Sequence, residues 1–130
     1  MKINCPVSLG ELIDKMTILK IKNEKIKDSI KREHIFNEYK VLSETLNKLK
    51  KEQNLPNTYE FFTKLKKINE TLWNIEDKIR EKENHKNFDD EFIELARSVY
   101  ITNDQRFAVK NEINESSNSD IKEIKSYEKY

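Results

Sequence analysis

Residues 58–80 read TYEFFTKLKKINETLWNIEDKIR, and their apolar spacing decides the fold. Phe61, Leu65, Ile68, Leu72, Ile75 and Ile79 follow one another at alternating steps of four and three. That period lays the apolar side chains along one stripe of a helix and does not fit the two-residue alternation of a strand. A second set, Asn69, Trp73, Glu76 and Arg80, recurs at four, three and four beside the first. Polar groups and the only tryptophan therefore share one edge of this helix.

Upstream, Ile35, Tyr39, Leu42, Leu46 and Leu49 form another seam of coiled-coil spacing. It predicts a helix from about Ser29 to Gln53, broken by Asn54-Leu55-Pro56-Asn57, with Asn57 or Thr58 capping the helix that follows. Ser8-Leu9-Gly10-Glu11 matches the S-x-x-E capping box and predicts a first helix. Its main stripe is Leu9, Leu12, Ile13, Met16 and Leu19, with Ile18 and Ile21 on nearly the opposite side. A helix apolar on two faces is central in a bundle or shared between subunits. Residues 1–7, with Pro6 inside, read as a short extended arm.

Downstream, Asn84-His85-Lys86-Asn87 ends the 58–80 helix, and Asp89 or Asp90 caps a fourth. Phe92, Leu95, Ala96 and Val99 point inward there. Thr102-Asn103-Asp104-Gln105 is a second capping box, at which this helix is expected to kink or restart. Ser116-Ser117-Asn118-Ser119 is a stop. The expected fold is all-α: an antiparallel bundle of about four helices with a short extended N-terminal arm. Residues 1–118 form one domain and 119–130 a tail. The competing architecture is a long helical hairpin that is stable only as a homodimer.

Composition limits the function classes. Of 130 residues, 38% are charged, and 25 Lys+Arg against 24 Asp+Glu leave a net charge of +1. Disordered chains of such polarity carry a larger net charge, and nucleic-acid binders are more basic. No apolar run is long enough to span a membrane, and no apolar segment follows Met1, so a cytoplasmic protein is expected, with neither nucleic acid nor membrane as a partner. Cys5 stands alone and builds neither an internal disulfide nor a thiolate cage. Neither His34 nor His85 follows a glutamate by three residues, and one glycine excludes the phosphate-loop motifs. No metal and no cofactor are expected. Only four of the basic residues are arginines, Arg32, Arg80, Arg97 and Arg106. In a chain that uses lysine wherever a plain charge suffices, an arginine is retained for its planar fork.

The fourth helix carries the most informative feature. Continued from Phe92 at steps of four and three, its inward stripe passes Ala96 and Val99, then meets Asn103, Arg106 and Lys110 before Ile113. Buried cations are costly unless paired. An unbroken helix would aim these groups at the interior or at a cleft. The alternative is that the Thr102 capping box resets the phase, or that both long side chains reach the rim. The Trp73 edge likewise reads as a pocket wall, or as a half-buried tryptophan beside an i,i+4 Glu76–Arg80 surface pair. Glu11, Asp14 and Lys15 lie in the first turns of their helix, where carboxylates favour the helix dipole.

Three stretches together resemble a known family: Val7-Ser8-Leu9-Gly10-Glu11-Leu12-Ile13-Asp14-Lys15 with Thr17-Ile18-Leu19; Asn69 with Leu72-Trp73, Ile75-Glu76-Asp77 and Ile79-Arg80; and Phe92 to Tyr100 with Asn103-Asp104 and Arg106. Ile113-Asn114 and Lys125-Ser126-Tyr127 add to it. Over nearly its full length the chain is similar to a bacterial family of small proteins classed only as a domain of unknown function. The resemblance implies a stand-alone helical protein and no established reaction. Where the resembled pattern is acidic at position 20 and apolar at 23, this chain has Lys20 and Asn23.

Residue spacing and resemblance give the same candidate set: Asn69, Trp73, Glu76, Arg80, Tyr100, Asn103 and Arg106, to which the inward stripe adds Lys110. The expected function is the binding of a small anionic metabolite, or an acidic group of a partner, in a polar cleft between the third and fourth helices. Arg80, Arg106 and Lys110 would supply charge, Asn69 and Asn103 orientation, and Trp73 and Tyr100 the walls. An enzyme with Glu76 as acid or base would carry the same residues. The alternative is a structural or interaction protein, in which the polar residues fix helix register and the first helix makes a dimer or docks a partner.

Overall fold

Ser8 opens the first helix by accepting a hydrogen bond from the Glu11 amide on its Oγ at 3.1 Å, so one of the unpaired first-turn N–H groups is satisfied. In the computed structural model, which describes residues 1–130, four helices follow: α1 Leu9–Lys25, α2 Ser29–Glu52, α3 Thr58–Asn84 and α4 Asp90–Ser116. There is no strand, and residues 1–7 are exposed and without regular structure. Asp28 and Asp89 cap α2 and α4 through the Lys31 and Phe92 amides. Asn57 precedes α3 in the left-handed region, φ 61°, without a side-chain cap. An all-α fold is thus what the three-four seams specify.

The helices alternate in direction. Ile13 meets Leu65, and Thr17 meets Asn69, so α1 and α3 run parallel. Gly10 meets Asn114, and Asp14 meets Arg106, so α4 runs against α1. Lys15 pairs with Glu38 across the antiparallel α1–α2 pair. The bundle is not evenly packed, however. α1 packs against all three other helices, whereas α2 packs its backbone on α1 alone. One core cluster joins α1, α3 and α4 through Ile13, Leu65, Val109 and Ile113; the other joins α1 and α2 through Leu12, Met16 and Leu46, with Phe62 of α3 against it.

The two apolar faces of α1 follow from this central place. On the second face the bundle buries Ile21, 1% exposed within a single chain, and leaves Ile18 half-buried. α4 does not restart at Thr102. It is one helix of 27 residues with Thr102 buried inside it. A capping residue itself has a non-helical backbone, and here the helix and its inward stripe continue through Thr102, with Lys110 and Ile113 both buried.

Candidate functional site

The sole glycine lies where α1 and α4 are in close contact. The Gly10 amide donates to Asn114 Oδ1 at 2.8 Å. One turn further along, the seam Gly10–Asp14–Thr17–Ile21 meets the polar stripe of α4. The Asp14 carboxylate, 2% exposed, accepts from Arg106 Nε at 2.9 Å on Oδ1 and from Arg106 Nη2 at 2.5 Å on Oδ2. This is the fork geometry for which arginine, and not lysine, is suited. Asn69 Nδ2 of α3 donates to the same Oδ1 at 2.9 Å and to Thr17 Oγ1 at 2.8 Å, while Thr17 donates to the Asp14 carbonyl. Three helices are thereby tied to one buried carboxylate. The Asp14 hydrogen bond holds the Arg106 guanidinium above its ordinary value, against the opposing effect of burial.

Beside this network lies a cleft of about 440 Å³. Asn69, Trp73, Glu76, Arg80, Asn103 and Arg106 line it, over an apolar floor of Ile18, Ile21 and Leu72. Six of the eight candidate residues therefore share one concavity. Arg80 is ion-paired to Glu76 one turn before it on α3. Arg106 uses Nε and Nη2 on Asp14, and no protein group accepts from its Nη1. Lys20 is exposed and takes no part.

The other two candidates lie elsewhere. Tyr100 packs against Tyr130 with the rings tilted by 59° and their centroids 5.2 Å apart. Lys110 Nζ sits between Glu11 Oε2 at 2.9 Å and Glu123 Oε2 at 2.8 Å. Burial, its largest single influence, pushes the Lys110 ammonium down; hydrogen bonds to Glu123 and Glu11 and the field of Asp14 outweigh it, so the net shift is upward. Lys110 thus belongs to a neighbouring pocket of about 460 Å³, which Asn103 and Arg106 also line.

Two contributors escape the sequence reading. Asp14 looks there like an ordinary first-turn carboxylate, although its place in the seam Gly10, Asp14, Thr17 and Ile21, at steps of four, three and four, is the available signal. The tail after α4 gives no such signal. It folds back antiparallel along α4: Glu123 reaches Lys110, Lys125 reaches Asp104 at 3.6 Å, and Tyr130 Oη donates to Asp104 Oδ2 at 2.6 Å.

These tail contacts predict a pH dependence. The Asp104 hydrogen bond raises the Tyr130 phenol above its ordinary 10.0, and Lys110 is raised above 10.5. A group raised on folding stabilises fully below its unfolded value and loses that contribution as pH climbs through the folded one. Tail attachment should be flat through neutral pH and weaken above pH 10.0. Ultraviolet titration of the tyrosines alongside thermal melts checks this, and Lys110→Gln should blunt the alkaline fall.

A helical protein with a buried carboxylate–guanidinium fork beside an open polar cleft is the class that fold and site define. Its residues 1–130 match the model of a family of unknown function, DUF6165, and the chain belongs to that family. No curated protein and no solved structure matches it. None of its helices is long and apolar enough to cross a membrane.

Proposed function

We propose that the protein binds a small molecule through a carboxylate or phosphate group in the α1–α3–α4 cleft. The observation that carries this reading is the state of Arg106. Asp14 grips one edge of its guanidinium and fixes its plane, Nη1 stays without a protein partner, and Arg106 lines the cleft together with Asn103 and Trp73. A donor oriented in advance loses little entropy when an oxyanion arrives. Arg80 stands at the rim with Glu76 as its counter-ion, and Trp73 offers a flat wall against Ile18 and Leu72. Tyr100 and Lys110 are not part of this seat. We place the protein in the cytoplasm, where the exposed free thiol of Cys5 stays reduced.

Trp73, the only tryptophan, reports on the cleft by its fluorescence. Titration with a panel of small carboxylic and phosphoric acids should quench or shift it at saturable concentrations. Arg106→Lys keeps the charge beside Asp14 but loses the second edge of the fork, and should weaken the best ligand about tenfold or more. An emission insensitive to every acid tested, or equal binding by Arg106→Lys, overturns this reading.

A second reading is favoured by a specific observation: both inward cations of α4 are already neutralised, Arg106 by Asp14 and Lys110 by Glu11 and Glu123. On this reading the polar residues fix the register of three helices, and the protein acts as a structural or interaction module. α1 would then make a dimer or dock a partner through its half-buried Ile18 face, and the exposed Ile30, Phe36 and Val41 of α2 offer a further apolar surface.

A further inference from the structure

We infer that the pocket over Lys110 is a second binding site, for a small carboxylate with a flat apolar body, whose resting occupant is the chain's own Glu123. It shares Arg106 with the cleft but does not depend on the cleft reading, because its charge and its cover come from other residues.

A lysine that is 6% exposed needs anionic partners to remain charged. Lys110 has two, at nearly equal distances, and they differ in how they are held. Glu11 is in the first turn of the central helix, next to the Gly10 contact, so its backbone is fixed by the packing of α1. Glu123 is on a segment with no regular structure whose neighbours Ile121 and Ile124 face solvent. Apart from the Glu123 pair with buried Lys110, that segment is held only by Lys125 and Tyr130 on Asp104, contacts of partly exposed groups that each contribute about 0–1 kcal/mol. The Glu123 carboxylate is therefore the removable one.

The space around it suits a replacement. The 460 Å³ pocket lies over Lys110 with the tail in place, and Arg106, Lys125, Phe107 and Tyr127 line it. The Lys125 ammonium already lies 5.0 Å from the Phe107 ring centroid and 5.8 Å from that of Tyr127. With Glu123 gone, Lys110 keeps Glu11 alone, while Arg106 and Lys125 line the same pocket with Asp14 and Asp104 as their own counter-ions. A carboxylate would take the place of the Glu123 carboxylate on Lys110, and a flat body would lie along Phe107 and Tyr127 beside the Lys125 ammonium.

Glu123 competes as a tethered ligand. A carboxylate on a short flexible link is present at an effective concentration on the order of millimolar. A free acid meets a seat that is open only part of the time, and its apparent affinity falls by that fraction.

The test uses the full chain and benzoate as the probe, followed by isothermal calorimetry and by the amide chemical shifts of α4. Glu123→Gln removes the competing charge with little change of shape and should bind benzoate roughly tenfold more tightly than the parent. Lys110→Gln added to Glu123→Gln should abolish the gain, and benzyl alcohol, which lacks the charge, should not bind. Trp73→Phe should leave benzoate binding unchanged, which separates this seat from the cleft. Thermal melts confirm that each variant is folded. Equal benzoate affinity of Glu123→Gln and parent, including no detectable binding by either, overturns the proposal. So does binding that survives the loss of Lys110.

Discussion

Replacing Arg106 by leucine is expected to destabilise the folded chain by about 3–5 kcal/mol, the range found when one partner of a buried ion pair is removed. The size follows from what stays behind. Asp14 is 2% exposed, and in the variant its carboxylate would keep only the Asn69 hydrogen bond of the three it now accepts. Asp14→Leu should cost less, because Arg106 is 29% exposed and can turn toward the cleft and water. The loss there is mainly the stranded Asn69 amide, about 1–3 kcal/mol. In the double variant Asp14→Leu with Arg106→Leu, neither charge of this pair remains. Buried pairs replaced by packed apolar groups are often neutral or better, so the double should recover most of the Arg106→Leu loss. Glu76→Gln should stay within about 0.5 kcal/mol of the parent, since Glu76 pairs with Arg80 on the surface of α3 and not with Arg106. Urea melts of the four variants measure all of this. Additive single and double changes would show that the pair is not coupled in the folded state. A near-neutral Arg106→Leu would mean that Arg106 and Asp14 do not pair in solution.

The same cycle bears on function. If the fork acts only to fix register, the double variant should fold and lose nothing else. If it positions Arg106 for a ligand, the double variant should fold and lose the response of Trp73 to acids. Stability and binding are separate readouts on one pair of residues, because Arg106 has one edge on Asp14 and its Nη1 unpartnered.

The helices could be read from the chain because their seams are local. Phe61 to Ile79 and Ile35 to Leu49 repeat at three and four whatever they pack against, and Ser8 and Asp89 cap through amides three residues away. The two-faced α1 reads as central or shared, and only the packing of α2, α3 and α4 around it shows that it is central. The inward phase of Arg106 and Lys110 is legible for the same local reason. Their partners are not. Asp14 lies 92 residues from Arg106 in sequence, and only its place in the seam with Gly10, Thr17 and Ile21 separates it from a carboxylate that favours a helix dipole. Glu76 is the nearer choice by helix spacing, but it belongs to Arg80. The tail is hidden for another reason. Glu123, Lys125 and Tyr130 dock through single polar groups with no period, so no pattern announces them.

Gly10→Ala should give the second large effect. Gly10 has an ordinary helical backbone, since no glycine here has a positive φ. In an exposed helix interior, alanine would therefore be favoured by about 1 kcal/mol. The contact with α4 reverses the sign. A Cβ built at Gly10 lies 2.7 Å from the Lys110 carbonyl oxygen, 2.8 Å from Asn114 Oδ1 and 3.2 Å from Asn114 Cγ. Neither neighbour can withdraw easily: one is helix backbone, and Asn114 is 1% exposed. The helices must separate, which costs about 1–3 kcal/mol in a packed interior. Separation also lengthens the hydrogen bond from the Gly10 amide to Asn114 Oδ1, and an orphaned buried donor costs about 1–3 kcal/mol. The net expectation is a loss of roughly 2–4 kcal/mol once the gain in helix propensity is set against these terms. Because Asp14 is one turn from Gly10, the same displacement should lengthen its fork to Arg106. Gly10→Ala should thus also reduce the coupling between Asp14 and Arg106. Asn114→Ala relieves two of the three clashes but not the Lys110 carbonyl, so adding it should rescue Gly10→Ala only in part. Chemical denaturation of the single and double variants decides the matter: a Gly10→Ala chain as stable as the parent, or more so, would show that α1 and α4 do not approach this closely.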